Sequence, residues 1–153
     1  MTNDTADIHA GRKRAAALLA RATVQELETA WNRQGENPKT ETVRGPETGL
    51  VMVKGRIGGG GAPFNLGETT VTRATIKLAS GTVGHAHVLG TGRKKAWYAA
   101  VFDALWQESP TRDFIETELL SPLETRLTAE KERTMKETAA TRVDFFTMVR
   151  GED

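Results

Sequence analysis

The sequence predicts an α+β fold: an antiparallel four-stranded meander sheet flanked by N-terminal helices and a following helix, with a long C-terminal helix and an extended tail. Three observations lead there. The stretch TTVTRATIKLAS (69–80) alternates residue by residue, so Thr70, Thr72, Ala74, Ile76 and Leu78 share one face and Val71, Arg73, Thr75 and Lys77 the other. The connections around it are too short for βαβ crossovers and favour antiparallel pairing. The segments at either end of the chain space their apolar residues as helices do.

With 153 residues the chain reads as a single domain in three parts: 1–37 helical, 38–109 sheet plus covering helix, and 110–153 C-terminal helix and tail. IHAGRKRAAALLA, from Ile8, suits a short helix with Gly11 as its weak point. Thr23 with Glu26 three residues on is a capping-box start for a second helix, which puts Val24, Leu27 and Trp31 on one face and ends at Gly35 and Asn37-Pro38. Thr40–Arg44 reads as a short strand, GPETG (45–49) as a turn, and LVMVKGRI (50–57) as a strand apolar enough in its first half to be covered on both faces. The glycine-rich 57–68 leads into the 69–80 strand. Ser80-Gly81 turns the chain, and TVGHAHVLG (82–90) returns as the fourth strand.

TGRKKAWYAAVFDALWQES (91–109) aligns Trp97, Val101 and Leu105 on a face suited to cover the sheet, and Pro110 stops it. Ser121, Pro122 and Glu124 read as cap, first helical position and capping partner of the last helix. That helix carries apolar residues at 123, 127, 135 and 139 within a mass of charge. So thin a stripe makes a poor core helix and reads as a lever that carries the tail away from the domain.

Charge and composition exclude several classes of function. The 21 Lys+Arg against 20 Asp+Glu leave a net charge of +1, which argues against a general polyanion binder. No cysteine is present, so disulfides, a Cys zinc site, an iron–sulfur cluster and a Cys nucleophile are excluded within this chain. No apolar run approaches membrane-spanning length, and the N-terminus lacks a signal-like apolar stretch, so the expected location is cytoplasmic.

Few residues suggest chemistry. IGGGGAPFNLGE (57–68) has the composition of a phosphate-cradling loop, and Arg56 with Gly58, Gly59 and Gly60 is the candidate phosphate-binding set. No Gly-Lys-Ser/Thr and no helix start follows it, which favours a simple connection between strands. His85 and His87 share a strand face at metal-ligand spacing, but the remaining histidine, His9, lies in a separate helix, so no metal site is expected. No nucleophile, base and orienter set is evident, and no catalytic residue is assigned.

The end of the chain, VDFFTMVRGED (143–153), is the opposite of a polar terminus. In extended form Val143, Phe145, Thr147 and Val149 occupy one face, and Asp144, Phe146, Met148 and Arg150 the other. Burying one such aromatic is worth about 1.5–3 kcal/mol. The expectation is an arm in which Val143, Phe145, Phe146, Met148 and Arg150 bind a partner by adding to a sheet edge. The alternative is that the tail folds back as a strand of its own sheet.

VDFFTMVRGED, ETGLVMVKGRIGGGGAPFNLGE (47–68), VTRATIKLASGTVGHAHVLGTGRKKA (71–96) and the SPLE start together resemble PhnG, a subunit of the bacterial carbon–phosphorus lyase complex that degrades phosphonates. The resemblance runs in order over nearly the whole chain; the His85/His87 pair is not part of it. It implies a hetero-oligomer with PhnI, PhnH, PhnJ and PhnL. It also implies a part in transferring a phosphonate to the ribose C1 of ATP with release of adenine, giving α-D-ribose 1-methylphosphonate 5-triphosphate. ATP with magnesium is then a substrate of the complex, no cofactor belongs to this chain, and the radical carbon–phosphorus cleavage belongs to PhnJ. Two functional classes stay open: a structural subunit that shapes the PhnI site, or one that lends glycine-loop and Arg contacts to ATP or phosphonate.

Overall fold

A computed structural model describes residues 2–140, in the order α1 (Thr2–Leu19), α2 (Val24–Arg33), β1 (Thr40–Arg56), β2 (Pro63–Leu78), β3 (Val83–Leu89), α3 (Arg93–Gln107), α4 (Ser109–Ile115) and α5 (Ser121–Ala140). The fold is α+β, with the helices packed on one face of an antiparallel sheet of order β1-β2-β3. Among the described residues the sheet has three strands, not the expected four.

The difference lies in GPETG, which is strand and not turn. β1 runs unbroken through Gly45 and Pro46 against β2, and register shifts between Thr42 and Arg44 and between Arg44 and Glu47 absorb the extra residues as bulges. β1 is an edge strand, where the missing Pro46 N–H leaves no central ladder bond unmade. β2 likewise begins at Pro63, six residues before the clean alternation of 69–80, with its own irregularity opposite Val53 and Lys54.

Where β2 does alternate, the burial follows the sequence: Thr72, Ala74, Ile76 and Leu78 are buried, as are Ala86 and Val88 from β3. They pack beneath α3, in which Ala99 through Trp106 are all buried, because α1 and α2 close over its other side. Gly84 permits the closest approach. A Cβ there would stand 2.0 Å from the Ala100 carbonyl oxygen and 2.5 Å from the Ala104 nitrogen. Thr72, the buried hydroxyl of the sheet, donates to the Gly90 carbonyl at 2.6 Å and lies 2.9 Å from Thr48 Oγ1.

The capping box of α2 forms as expected: Thr23 Oγ1 accepts from the Glu26 N–H and the Thr23 N–H donates to Glu26 Oε2. Trp31 packs edge-on against Trp97, Tyr98 and Phe102 and ties α2 to α3. At Gly11 the Trp106 ring lies within 3.0 Å of where a Cβ would stand, so the weak point of α1 is a packing site.

α3 ends ahead of Pro110 as expected, at Gln107 with Glu108 extended, but a separate helix, α4, follows at once with Pro110 in its first turn, where its missing N–H costs nothing. A second boundary differs from expectation: Ser121-Pro122 does not begin a helix. α4 passes through a wide π turn at Glu116–Leu120 directly into α5, and Ser121 is itself helical, its N–H bonding the Glu116 carbonyl five residues back. Pro122 lacks the donor for an ordinary helical bond and its ring crowds the preceding turn, and a widened turn accommodates both.

We expect Gly84→Ala to destabilise the domain by about 1–3 kcal/mol through overpacking, read as a lower Tm. Gly49→Ala, where nothing lies within 4 Å of a new Cβ, should leave Tm unchanged within about 0.5 kcal/mol.

Candidate functional site

α3 has 15 residues and spans about 22 Å, whereas the 16 residues of β2 span roughly 50 Å. The β1–β2 ribbon therefore overhangs its helix. Residues 50–57 and 63–68 project as a two-stranded arm, and Leu50, Val51, Met52, Val53, Ile57, Phe64 and Leu66 are all exposed on it. Successive positions on a strand face opposite ways, so Leu50 and Met52 expose one face and Val51 and Val53 the other. Sequence reasoning expected this strand covered on both faces; within the described residues it is covered on neither.

The arm's tip holds the candidate phosphate set. Gly58 and Gly59 adopt positive φ (59° and 76°) in a tight turn closed by the Gly61 N–H to the Ile57 carbonyl at 3.0 Å. Arg56 donates across the turn to the Gly61 carbonyl at 3.0 Å. Arg56, Gly58, Gly59 and Gly60 are thus together, but the turn leads into strand β2 and not into a helix N-terminus, and Arg56 is engaged by its own loop.

A second surface lies where α1 passes the outer edge of β3, which has no neighbouring strand among the described residues. A cleft of about 530 Å³ is lined by His9, Arg12, Ala16 and Ala17 from α1, His85 and His87 from β3, and Asp103 from α3. All three histidines line it, which their sequence separation concealed. Among the described residues no group of three His, Asp or Glu side chains is placed to hold a metal. The His85 side chain turns to the open sheet face, its Nδ1 3.1 Å from Thr75 Oγ1.

Asp103 organises this corner. Its carboxylate is buried and accepts from Arg12 Nη2 at 2.7 Å, Arg12 Nε at 3.0 Å and the His85 backbone N–H at 2.8 Å. That bidentate pair raises the Arg12 guanidinium pKa against the opposing effect of burial. Sequence reasoning passed over Asp103, although one acid inside the apolar AAVFDALW run was the available signal.

Among the described residues α5 is buried only at its start. Leu123 is buried and Leu127 partly so. Arg14 bridges Glu116 at 2.9 Å and Glu124 at 2.6 Å, and Arg126 pairs with Glu26 at 2.6 Å. Burial would raise the Glu26 carboxyl, but hydrogen bonds from Arg126 and from the Thr23 N–H and hydroxyl outweigh it and hold the carboxyl below its usual range. From Thr128 to Ala140 every residue is exposed. The lever shape expected for this helix is present, while Val143, Phe145, Phe146, Met148 and Arg150 lie outside the described residues. No helix among the described residues is long and apolar enough to cross a membrane.

These surfaces suit association more than bond making: an apolar arm, an apolar-walled cleft beside a strand edge, and a projecting helix. Residues 10–151 match the family model described as phosphonate metabolism protein PhnG. The chain is 56% identical over 152 residues to the alpha-D-ribose 1-methylphosphonate 5-triphosphate synthase subunit PhnG of Rhizobium meliloti (strain 1021), covering 99% of this chain and 96% of that protein.

Two measurements check the electrostatics. Asp103→Ala leaves Arg12 and the His85 N–H without their acceptor and should cost about 3 kcal/mol in chemical denaturation. Glu130→Gln, in the exposed pair with Arg126, should cost under about 0.5 kcal/mol. Because the Glu26 carboxyl is lowered in the folded state, its contribution is complete above the unfolded value of about 4.3 and is lost as pH falls through the folded value. Glu26→Gln should accordingly flatten the acid limb of the stability–pH curve.

Proposed function

The chain belongs to the PhnG family of phosphonate metabolism proteins, and on that premise we propose that it is a structural, non-catalytic subunit of a cytoplasmic synthase complex. The complex transfers a phosphonate to the ribose C1 of ATP: a phosphonate oxygen attacks the anomeric carbon, adenine leaves, and α-D-ribose 1-methylphosphonate 5-triphosphate forms. The proposed neighbours are PhnI, PhnH, PhnJ and PhnL, with PhnI as the direct partner and magnesium-bound ATP as the substrate of the assembly.

The observation that carries this reading is the β1–β2 arm. An isolated two-stranded ribbon is at best marginally stable in water. This one also holds seven large apolar side chains in contact with solvent, Leu50 and Leu66 at 66% exposure and Ile57 at 75%. A patch of that kind marks an interaction surface, and its two-faced exposure asks for a partner that encloses it. The tail residues Val143, Phe145, Phe146, Met148 and Arg150 are proposed as a second contact between subunits.

Co-expression with PhnI tests the reading. Leu50→Asp with Leu66→Asp should leave the thermal transition of the domain near wild type and abolish co-purification; co-purification at wild-type yield would remove the arm from the interface. Gly60, at φ −116°, accepts a side chain without left-handed strain, so Gly60→Val probes the loop for nucleotide contact. If the loop is only a connector, ATP affinity of the assembled complex stays within about twofold, well under the ~1.4 kcal/mol of a tenfold change. A tenfold loss with assembly intact would transfer ATP contacts to Arg56 and the glycine turn.

A further inference from the structure

We propose that the cleft between α1 and β3 is a binding site for a small organic oxyanion, a phosphate-type head on a short apolar body. The spacing of the residues that α1 gives to the cleft is the starting point. His9, Arg12, Lys13, Ala16, Ala17 and Ala20 follow one another at the three- and four-residue steps of a single helix face. Along that face the chemistry changes once: the residues up to Lys13 are basic, and those from Ala16 onward are alanine. The wall runs about 16 Å from His9 to Ala20, so the cleft has a cationic end and an apolar end.

At the cationic end Arg12 is held in place by the protein itself. Its Nε and Nη2 donate to the buried Asp103 carboxylate, and Nη2 also reaches the Val83 carbonyl. These bonds occupy one edge of the guanidinium. Nη1 makes no hydrogen bond among the described residues, and a third of the side chain is accessible. A planar fork fixed in this way presents its remaining donors with little further loss of side-chain freedom. Lys13 is exposed and has no ion pair among the described residues. His85 stands at the same end, because its backbone N–H shares the Asp103 carboxylate with Arg12. Thr75 Oγ1 engages its Nδ1, which leaves Nε2 for another partner.

Charge then selects the sign of the ligand and volume its size. Five of the lining residues carry or can carry positive charge: His9, Arg12, Lys13, His85 and His87. The single acid, Asp103, is buried and already paired with Arg12. That excess opposes a metal cation, and among the described residues no three His, Asp or Glu side chains are grouped to hold one. An anion meets the opposite situation, with a fixed guanidinium, an unpaired ammonium and imidazole donors converging from two elements. At the other end Ala16, Ala17 and Ala20, with Ala86 and Ala99, line the cleft with methyl groups, which suit a ring or short chain. A volume of about 530 Å³ falls within the roughly 300–1,000 Å³ of small-molecule pockets.

The test titrates phenyl phosphate into the full chain, followed by calorimetry and by NMR of the histidine ring signals. Binding should be one to one with a Kd at or below about 1 mM. Inorganic phosphate and benzyl alcohol, which supply only the head or only the body, should each bind at least about tenfold more weakly. The ring signals of His9 and His85 should shift on binding. Lys13→Glu at the cationic end and Ala17→Leu at the apolar end should each weaken binding about tenfold or more. Both positions are exposed, so Tm should stay near wild type. Lys131→Glu makes the same charge change on the exposed half of α5 and should leave the affinity unaltered. Absence of saturable binding overturns the proposal, as does inorganic phosphate binding as tightly as phenyl phosphate. Cleft variants that bind like the wild type overturn it, and so does equal weakening by Lys13→Glu and Lys131→Glu, which would report net charge and not a site. None of these readings depends on PhnI or on ATP, so the proposal and the subunit assignment stand or fall separately.

Discussion

One mismatch of length governs this structure. A helix advances about 1.5 Å per residue and a strand about 3.3 Å, so α3, with 15 residues, covers less than half of β1 and β2. Beneath α3 the domain is tightly built: Gly84 lets the Ala100–Ala104 segment press onto β3, Phe102 and Leu105 are fully enclosed, and Thr72 is satisfied in the core. Beyond α3 the same two strands continue with no layer above or below them among the described residues. Core and arm are one ribbon, divided only by where the helix stops.

The helices around α3 are attached by few, well-paired charges. Asp103 joins α1, β3 and α3 through one carboxylate, and its bidentate Arg12 partner keeps a third of its side chain in solvent, which limits the desolvation cost. Arg14 and Arg126 dock the start of α5 with partners at 2.9 Å or closer. Past Leu127 the ion pairs among the described residues are exposed i, i+4 pairs such as Arg133–Glu137, which contribute only tenths of a kcal/mol. α5 is therefore anchored at its base, while its far half is exposed among the described residues.

This division suits the subunit role proposed for the chain. A small, closed core supplies enough burial to fold, and the surplus apolar surface is presented on projections that reach beyond it. The glycine turn belongs to that economy: Gly58 and Gly59 give the positive φ values that let the arm reverse tightly, and Arg56 locks the turn through the Gly61 carbonyl. Backbone geometry requires glycine at 58 and 59 whether or not the loop meets a ligand.

By itself the sequence determined whatever depends on neighbours a few residues apart. The α+β class, the capping box at Thr23 and Glu26, the buried face of 72–78 and the thin stripe of α5 all follow from local periodicity and local hydrogen bonding, and they are present as read. The tertiary structure decided what depends on partners far along the chain. Bulges against β2 turned GPETG from a turn into strand, which no local signal encodes. A π turn absorbed Pro122 because α4 and α5 pack as one unit, and the local start signal lost to that packing. The three histidines met at one cleft, and Asp103 became its organising group, because α1 lies across the edge of β3. LVMV reads as a buried strand because hydrophobicity reports that a surface will be covered; only the length of α3 shows that the described residues do not cover it.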